Sequence, residues 1–406
     1  MQIIIHRGSH QIGGIATEIR TASTRIIIDM GDELSLEDDF ESAPLDIPGV
    51  TDNNGKCDAI LLTHYHGDHT KQLNLACSSI PMYAGELTKD IMLISEKRLL
   101  KNLKRSKKYE KLRETEQRIK RIENMQTFSQ GNPFMIDDIK VTPYTVDHSA
   151  IDAYMFLLEA DGKKVLYTGD FRTNGFRGKG LSKMLDKLIP HCDALVIEGT
   201  TLSQDRGKCK TEIELKKELK QYIKDNKYVF ILAATTNIDR IFCAASAVPC
   251  GKYFICDIYQ NKLIETAAKH CSQYSAFYKM PKVTTYGNNL LDKFKKYGFV
   301  MMVRQSSWFK GIIKKFNPKQ CIILYSMWDG YRTKEESKIQ AFLTSTGKWE
   351  YWHTSGHATI EDIKMVVEKN QPKVIIPMHS DAPEKLKELL PDKKVVILQD
   401  KEVYTV

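Results

Sequence analysis

The stretch LLTHYHGDHT places His64, His66, Asp68 and His69 within six residues, directly after an apolar run. Two histidines at i and i+2 at a strand end can converge on one cation. The turn opened by Gly67 redirects Asp68 and His69 toward a second. Imidazole and carboxylate together suit Zn²⁺, Mn²⁺ or Fe, and they exclude the all-oxygen cages that hard cations prefer. A lone histidine at a strand end is ordinarily structural; the pattern H-x-H-x-D-H is a ligand pattern.

The rest of such a site must come from distant sequence. His148 ends IKVTPYTVDH, Asp170 ends KKVLYTGD and His379 lies in VIIPMHS, each closing an apolar run. Six of the eleven histidines (64, 66, 69, 148, 357 and 379) fall in these segments, the sixth in SGHA. Satisfied core histidines do not gather in this way.

The elements that must hold these residues are strands. IIIDM (26–30), CDAILLTH (57–64), IKVTPYTVDH (139–148), AYMFLLEA (153–160), KKVLYTGD (163–170) and DALVIEGT (193–200) read as strands. Apolar strands ending in His, Asp or Glu indicate a sheet buried on both faces, with chemistry at one edge. From about Lys210 the texture becomes a βα repeat. Its helices are TEIELKKELKQYIKDN, NIDRIFCAASAV and NKLIETAAKHCSQY; its strands are YVFILAA, KYFICD and KQCIILYS. From about Trp349 the earlier style returns, with IEDIKMVVEKN a helix, VIIPMHS (374–380) a strand and VVILQD (395–400) a last strand. These patterns predict an α/β protein in which a second domain, 206–349, interrupts a first one made of 1–205 and 350–406.

The chain has 406 residues and a formal net charge of +9. Residues 95–125 hold twelve Lys/Arg against five Asp/Glu. Leu99, Leu100, Leu103, Leu112, Ile119 and Ile122 form a sparse apolar stripe there, which predicts a charged helical hairpin. It is either a solvated face or an arm that contacts phosphates. No apolar run approaches the roughly 20 residues of a membrane span. The N-terminus lacks a basic stretch ahead of an apolar core, so the expectation is a cytoplasmic protein without a membrane partner. The nine cysteines form no C-x-x-C pair and read as reduced thiols.

The ligand residues resemble those of the metallo-β-lactamase superfamily. The resemblance implies an αββα sandwich in which His64, His66 and His148 hold one metal, Asp68, His69 and His379 the other, and Asp170 bridges. Asp29, in IIIDMG, matches a carboxylate that orients ligands. Glu198 in VIEGT, His357 in HTSGHAT and His379 look like motifs A, B and C of the β-CASP nucleases. The stretch ATTNIDRIFCAASAV is similar to a helix start of ribonuclease J, and 206–349 would be the inserted β-CASP α/β domain. A histidine at motif C is the pattern of RNA-processing members. Here motif C continues His379-Ser380-Asp381, where ribonuclease J has His-Gly-Glu.

The resemblance therefore implies a ribonuclease, an exonuclease or an endonuclease, acting on single-stranded RNA, with DNA the alternative. It would use two divalent metals, Zn²⁺ first and Mn²⁺ second. Asp68, His357 and Glu198 form the expected catalytic set, with His357 supplying a proton to the leaving oxygen and Glu198 orienting a histidine. Thr359 and Asp362 predict a capped helix start. Ser355 and Gly356 beside it, like Thr236 and Asn237 before NIDRIFCAASAV, are candidates to hold phosphate. Trp328 and Tyr331 are candidates for base stacking or for ordinary packing. The rival readings are a hydrolase of a small substrate and a nucleic-acid-binding module without catalysis, since this fold hosts many activities.

Overall fold

The computed structural model describes residues 1–35, 40–107, 109–204, 209–271, 278 and 282–406; Lys108, inside the basic segment, lies outside them. Two compact units separate. One is Met1–Thr173, Arg177–Gly207 and Gly356–Val406; the other is Asn174–Phe176 and Lys208–Ser355.

The first unit is built on two sheets. Its seven-stranded sheet runs Val403–Thr405, Gln2–Arg7, Ala16–Arg20, Arg25–Ile28, Ala59–Leu61, Met82–Gly85, Gln126–Phe128. Its six-stranded sheet runs Val374–Met378, Ala194–Glu198, Lys163–Tyr167, Ala153–Ala160, Ile139–Val146, Phe134–Ile136. Strand periodicity explains the packing. Ile3, Ile5, Ile26 and Ile28 from the first sheet meet Val141, Phe156, Leu158, Val196 and Ile376 from the second in one fully buried core. Burying each such side chain contributes on the order of 1.5–3 kcal/mol. The alternate residues of the second sheet, Met155, Leu157, Leu166, Leu195 and Ile375, pack on Leu181 and Leu185 of helix Lys179–Leu188 and on Ile363, Val366 and Val367 of helix Ile360–Asn370.

Direction then places the chemistry. Arg25–Ile28 runs parallel to Ala59–Leu61, and Lys163–Tyr167, Ala194–Glu198 and Val374–Met378 run parallel to one another. Ile139–Val146 and Lys163–Tyr167 are both antiparallel to Ala153–Ala160, so they share a direction. The C-terminal ends of these strands carry Asp29, His64, His148, Asp170, Glu198 and His379. Ligand sites in open α/β sheets form outside such carboxyl ends.

The basic segment is a helical hairpin, but its first helix, Glu86–Ser106, starts nine residues before 95. Lys107, with φ +55°, turns the chain into helix Glu110–Glu123. Leu103, Ile119 and Ile122 are buried as expected, whereas Leu99 is exposed. An apolar stripe this narrow cannot bury every leucine that it contains.

The second unit is a six-stranded, all-parallel sheet in the order Val283–Thr285, Tyr253–Cys256, Phe299–Val303, Tyr228–Ala233, Cys321–Ser326, Trp349–Tyr351. Helix Glu212–Asp225 opens with a capping box between Thr211 and Glu214.

One expected strand does not form. VVILQD makes a single bridge, Val395 to Ile375. Val395 is buried against the helices while Leu398 reaches the core between the sheets. Ile397 lies on the helix side like Val395 and Val396 on the inter-sheet side like Leu398, so the segment alternates as an edge strand would, yet only Val395 bridges a neighbour. The last strand is instead Val403–Thr405, antiparallel to Gln2–Ile4.

Candidate metal centre

The ligand-bearing turns are held in unusual backbone. Asp29 (φ +63°) and His379 (φ +53°) occupy the left-handed region, which non-glycine residues adopt uncommonly. Gly31 is needed for a different reason. A Cβ there would stand 1.6 Å from the Asp68 carbonyl oxygen, so the strand end can lie directly on the ligand turn only through glycine.

Hydrogen bonds fix the imidazoles. Asp29 accepts from the Thr63 amide (2.8 Å), the Thr63 hydroxyl (2.7 Å) and His69 Nδ1 (2.8 Å). The Thr63 hydroxyl, donating to Asp29, accepts from His64 Nδ1 at 3.0 Å. His148 Nδ1 donates to the Gly356 carbonyl at 2.5 Å. Thr200 donates to Glu198 Oε2 (2.7 Å) and accepts from His379 Nδ1 (2.6 Å). In each case the proton sits on Nδ1, which leaves the Nε2 lone pair of His64, His69, His148 and His379 as the ligand atom.

These atoms form two adjoining groups, His64–His66–His148 and Asp68–His69–Asp170–His379. His148 Nε2 lies 3.2 Å from His66 Nδ1, close to the roughly 3.3 Å between two nitrogens on one tetrahedral cation with bonds near 2.0–2.1 Å. Asp170 Oδ2 faces both groups: it is 3.3 Å from His69 Nε2, 3.8 Å from His148 Nε2 and 3.9 Å from His64 Nε2. Asp68 Oδ2 lies 3.4 Å from His379 Nε2.

The donor set fits metal ions on a direct test. Among the described residues, His64 Nε2, His69 Nε2 and both oxygens of Asp170 are buried without a hydrogen-bond partner. Orphaned buried polar atoms are costly unless a ligand completes them. Burial, helped by neighbouring imidazoles, holds His64 and His148 well below the ordinary histidine value, and burial pushes His66 down to about 4. Burial disfavours the charge of Asp68 and Asp170 too, but facing histidines outweigh it and hold both carboxyls low. Neutral His64, His66 and His148 beside ionised carboxylates are what a divalent cation requires. At His69 burial lowers the proton affinity, but Asp170, Asp29 and Asp68 outweigh it and lift the value well above the ordinary one, so a cation there displaces a proton.

His357 stands beside these groups. Its Nδ1 is 3.0 Å from Glu198 Oε2 and 3.6 Å from Asp170 Oδ2. Burial lowers its proton affinity, yet Glu198 and Asp170 prevail and lift it to about 9. Glu198 also accepts from the Phe171 and Ala358 amides (2.8 and 3.2 Å). Asp170, Glu198, His357 and His379 form a third close group, so His357 is near enough to serve as donor or ligand.

Residues 24–225 match the profile of the beta-lactamase superfamily domain. The chain carries a metallo-β-lactamase superfamily domain. Over 205 residues it is 30% identical to an RNase J-like protein of Methanocaldococcus jannaschii, an alignment covering 48% of this chain and 41% of that relative. The chain thus spans about two fifths of the length of the curated relative it matches. A solved structure titled as a protein of unknown function from Enterococcus faecalis superposes with a TM-score of 0.72 at 17% identity, covering 100% of this chain and 99% of that one. That likeness concerns the fold.

Within the metallo-β-lactamase unit the seven expected ligands come together, as do Glu198 and His357. Gly356 belongs there as well: its carbonyl fixes His148, and a Cβ on it would meet Ser149 Oγ at 2.9 Å. Thr359 and Asp362 form the expected capping box. The other phosphate candidates lie in the second unit. Ser355 is buried, and Asn237 caps helix Ile238–Ala247 by accepting from the Arg240 amide; Thr236 precedes it. Trp328 and Tyr331 rings contact edge to face at 5.4 Å. Sequence reasoning missed Thr63 and Thr200, whose hydroxyls link carboxylate to imidazole. Their only signal was adjacency, Thr63 to His64 and Thr200 two residues after Glu198.

Proposed function

We propose that the protein is a metal-dependent nuclease that hydrolyses RNA phosphodiester bonds in the manner of ribonuclease J. The reading rests on one observation: a single carboxylate, Asp170, faces two histidine-rich groups, with His357 beside it. The metallo-β-lactamase domain makes a hydrolase of this fold the frame, and the relative's name points to nucleic acid.

His64, His66 and His148 would hold one divalent ion, and Asp68, His69 and His379 the other, with Asp170 between them and zinc or manganese as the metal. Such a pair supplies an activated water and neutralises charge on the scissile phosphate. The chain's own residues do the rest. Asp29, Thr63, Thr200 and the Gly356 carbonyl hold the imidazoles in one tautomer. His357, kept charged by Glu198, donates a proton to the departing 3′-oxygen. Ser355, Gly356, Thr236 and Asn237 are assigned to phosphate binding, and the second unit to a β-CASP domain. The enzyme would act on single-stranded RNA in the cytoplasm.

The test is a cleavage assay on RNA with a 5′-monophosphate, 5′-triphosphate or 5′-hydroxyl, with single-stranded DNA in parallel, after reconstitution with Zn²⁺ or Mn²⁺. Metal-dependent cleavage of RNA over DNA supports the reading. Hydrolysis of small esters or lactams with every polynucleotide left intact overturns it.

A further inference from the structure

The helical hairpin carries two populations of cations. Arg118 Nη1 donates to the Lys71 carbonyl at 2.7 Å, and Arg121 donates to the carbonyls of Ala76 and Cys77, the latter at 3.0 Å. Asn74 adds a bond to Glu114 at 2.8 Å. These contacts fasten Glu110–Glu123 to residues 71–77, the segment that follows the turn carrying four of the metal ligands.

The second population is exposed. Lys97, Lys101 and the pair Lys104 and Arg105 recur three to four residues apart, on one face of Glu86–Ser106. With Leu100 they line an open depression of about 380 Å³ that includes no acidic residue. Among the described residues Lys101 and Arg105 make no ion pair. Lys97 and Lys104 pair with the exposed Glu123 (2.8 Å) and Glu116 (3.5 Å), contacts that stabilise little and exchange easily. Lys111, Arg113 and Lys120 of the second helix are exposed too. A solvated helix needs only balanced charge for solubility, whereas this face is one-signed.

We infer that this face docks the phosphodiester backbone of the single-stranded RNA that enters the metal centre, an inference that rests on the nuclease reading. A row of cations spaced along a helix matches a row of phosphates. The contacts are to backbone, so they add affinity without base preference. Substrates too short to reach the hairpin gain nothing from it.

The experiment uses the full metal-loaded chain and the triple variant Lys101→Gln, Lys104→Gln, Arg105→Gln. A second triple variant, Lys364→Gln, Lys385→Gln, Lys387→Gln, removes the same charge from exposed positions elsewhere. Binding of a long phosphorothioate RNA is followed by fluorescence anisotropy against salt, and turnover of bis(p-nitrophenyl) phosphate and of a dinucleotide is measured separately. The hairpin variant should bind the long RNA at least about tenfold more weakly at low salt. Its salt slope should flatten by up to about 2, since each single-strand phosphate contact contributes about 0.7. Both small substrates should turn over at the wild-type rate, and the control variant should bind as wild type does. An unchanged slope in the hairpin variant, or an equal change in the control, overturns the inference. Wild-type protein that cleaves no phosphodiester at all overturns the nuclease reading instead, a result that the turnover arm reports independently of binding.

Discussion

Asp29 Oδ2 lies 2.8 Å from His69 Nδ1 while the same carboxylate takes both the amide and the hydroxyl of Thr63. One buried side chain in left-handed backbone thereby orients imidazoles of both metal groups, His69 directly and His64 through Thr63. Asp29→Asn keeps the shape but cannot accept every one of these donors. Metal affinity is expected to fall about 10–100-fold, the usual effect of losing a carboxylate behind a ligating histidine, with little change in circular dichroism. Competition with a chelator measures it; affinity equal to wild type would show that Asp29 serves the backbone alone.

Asp170 is the residue on which the two-metal assignment stands. Among the described residues neither of its buried oxygens has a hydrogen-bond partner, and its carboxylate faces His69, His148, His64 and His357 at 3.3–3.9 Å. Asp170→Ala is expected to leave folding nearly intact and to reduce bound metal at both sites. Elemental analysis after reconstitution should give two ions for wild type and fewer than one for the variant. Wild-type protein that takes up less than one ion with either Zn²⁺ or Mn²⁺ would refute the assignment.

His357 is tied to Glu198 at 3.0 Å, outside both main ligand groups. His357→Ala should slow cleavage by roughly 10²–10⁴-fold, the range for a general acid, while metal content stays near wild type. If the variant loses metal, the third close group is a ligand set and the proton must come from elsewhere.

Much of this centre was legible because its ligands close apolar strands, where a polar residue has few structural uses. His64, His66, Asp68 and His69 are adjacent in sequence, and His148, Asp170 and His379 each follow a strand that shares one direction with the others. Thr63 and Thr200 were not legible, since a hydroxyl's role depends on which neighbours it meets in space. The same limit explains the boundaries. VVILQD has strand composition and strand alternation, but only Val395 finds a bridging partner. Leu99 fits the stripe of the hairpin, yet tertiary packing covers only one side of it.

Acid stability should report a group outside the metal ligand set. Glu18 is fully buried and accepts from His6 Nε2 (2.9 Å) and from Arg25 Nε and Nη2 (3.0 and 2.7 Å). Burial raises its proton affinity, but the hydrogen bonds and charges of His6 and Arg25 outweigh that and pull it down to about 2, against about 4.3 for an unperturbed glutamate. A carboxyl that is more acidic folded than unfolded stabilises the fold above the unfolded value. That contribution is lost as pH falls from about 4.3 through about 2. Glu18→Gln removes the charge-assisted part of these bonds, so it should cost about 1–3 kcal/mol near neutrality. The difference from wild type should shrink toward zero as pH approaches about 2. Urea midpoints for both proteins, taken in chelator so that metal loss does not intrude, give the comparison. A gap that stays constant across this range would mean that Glu18 acts through packing and not through its charge.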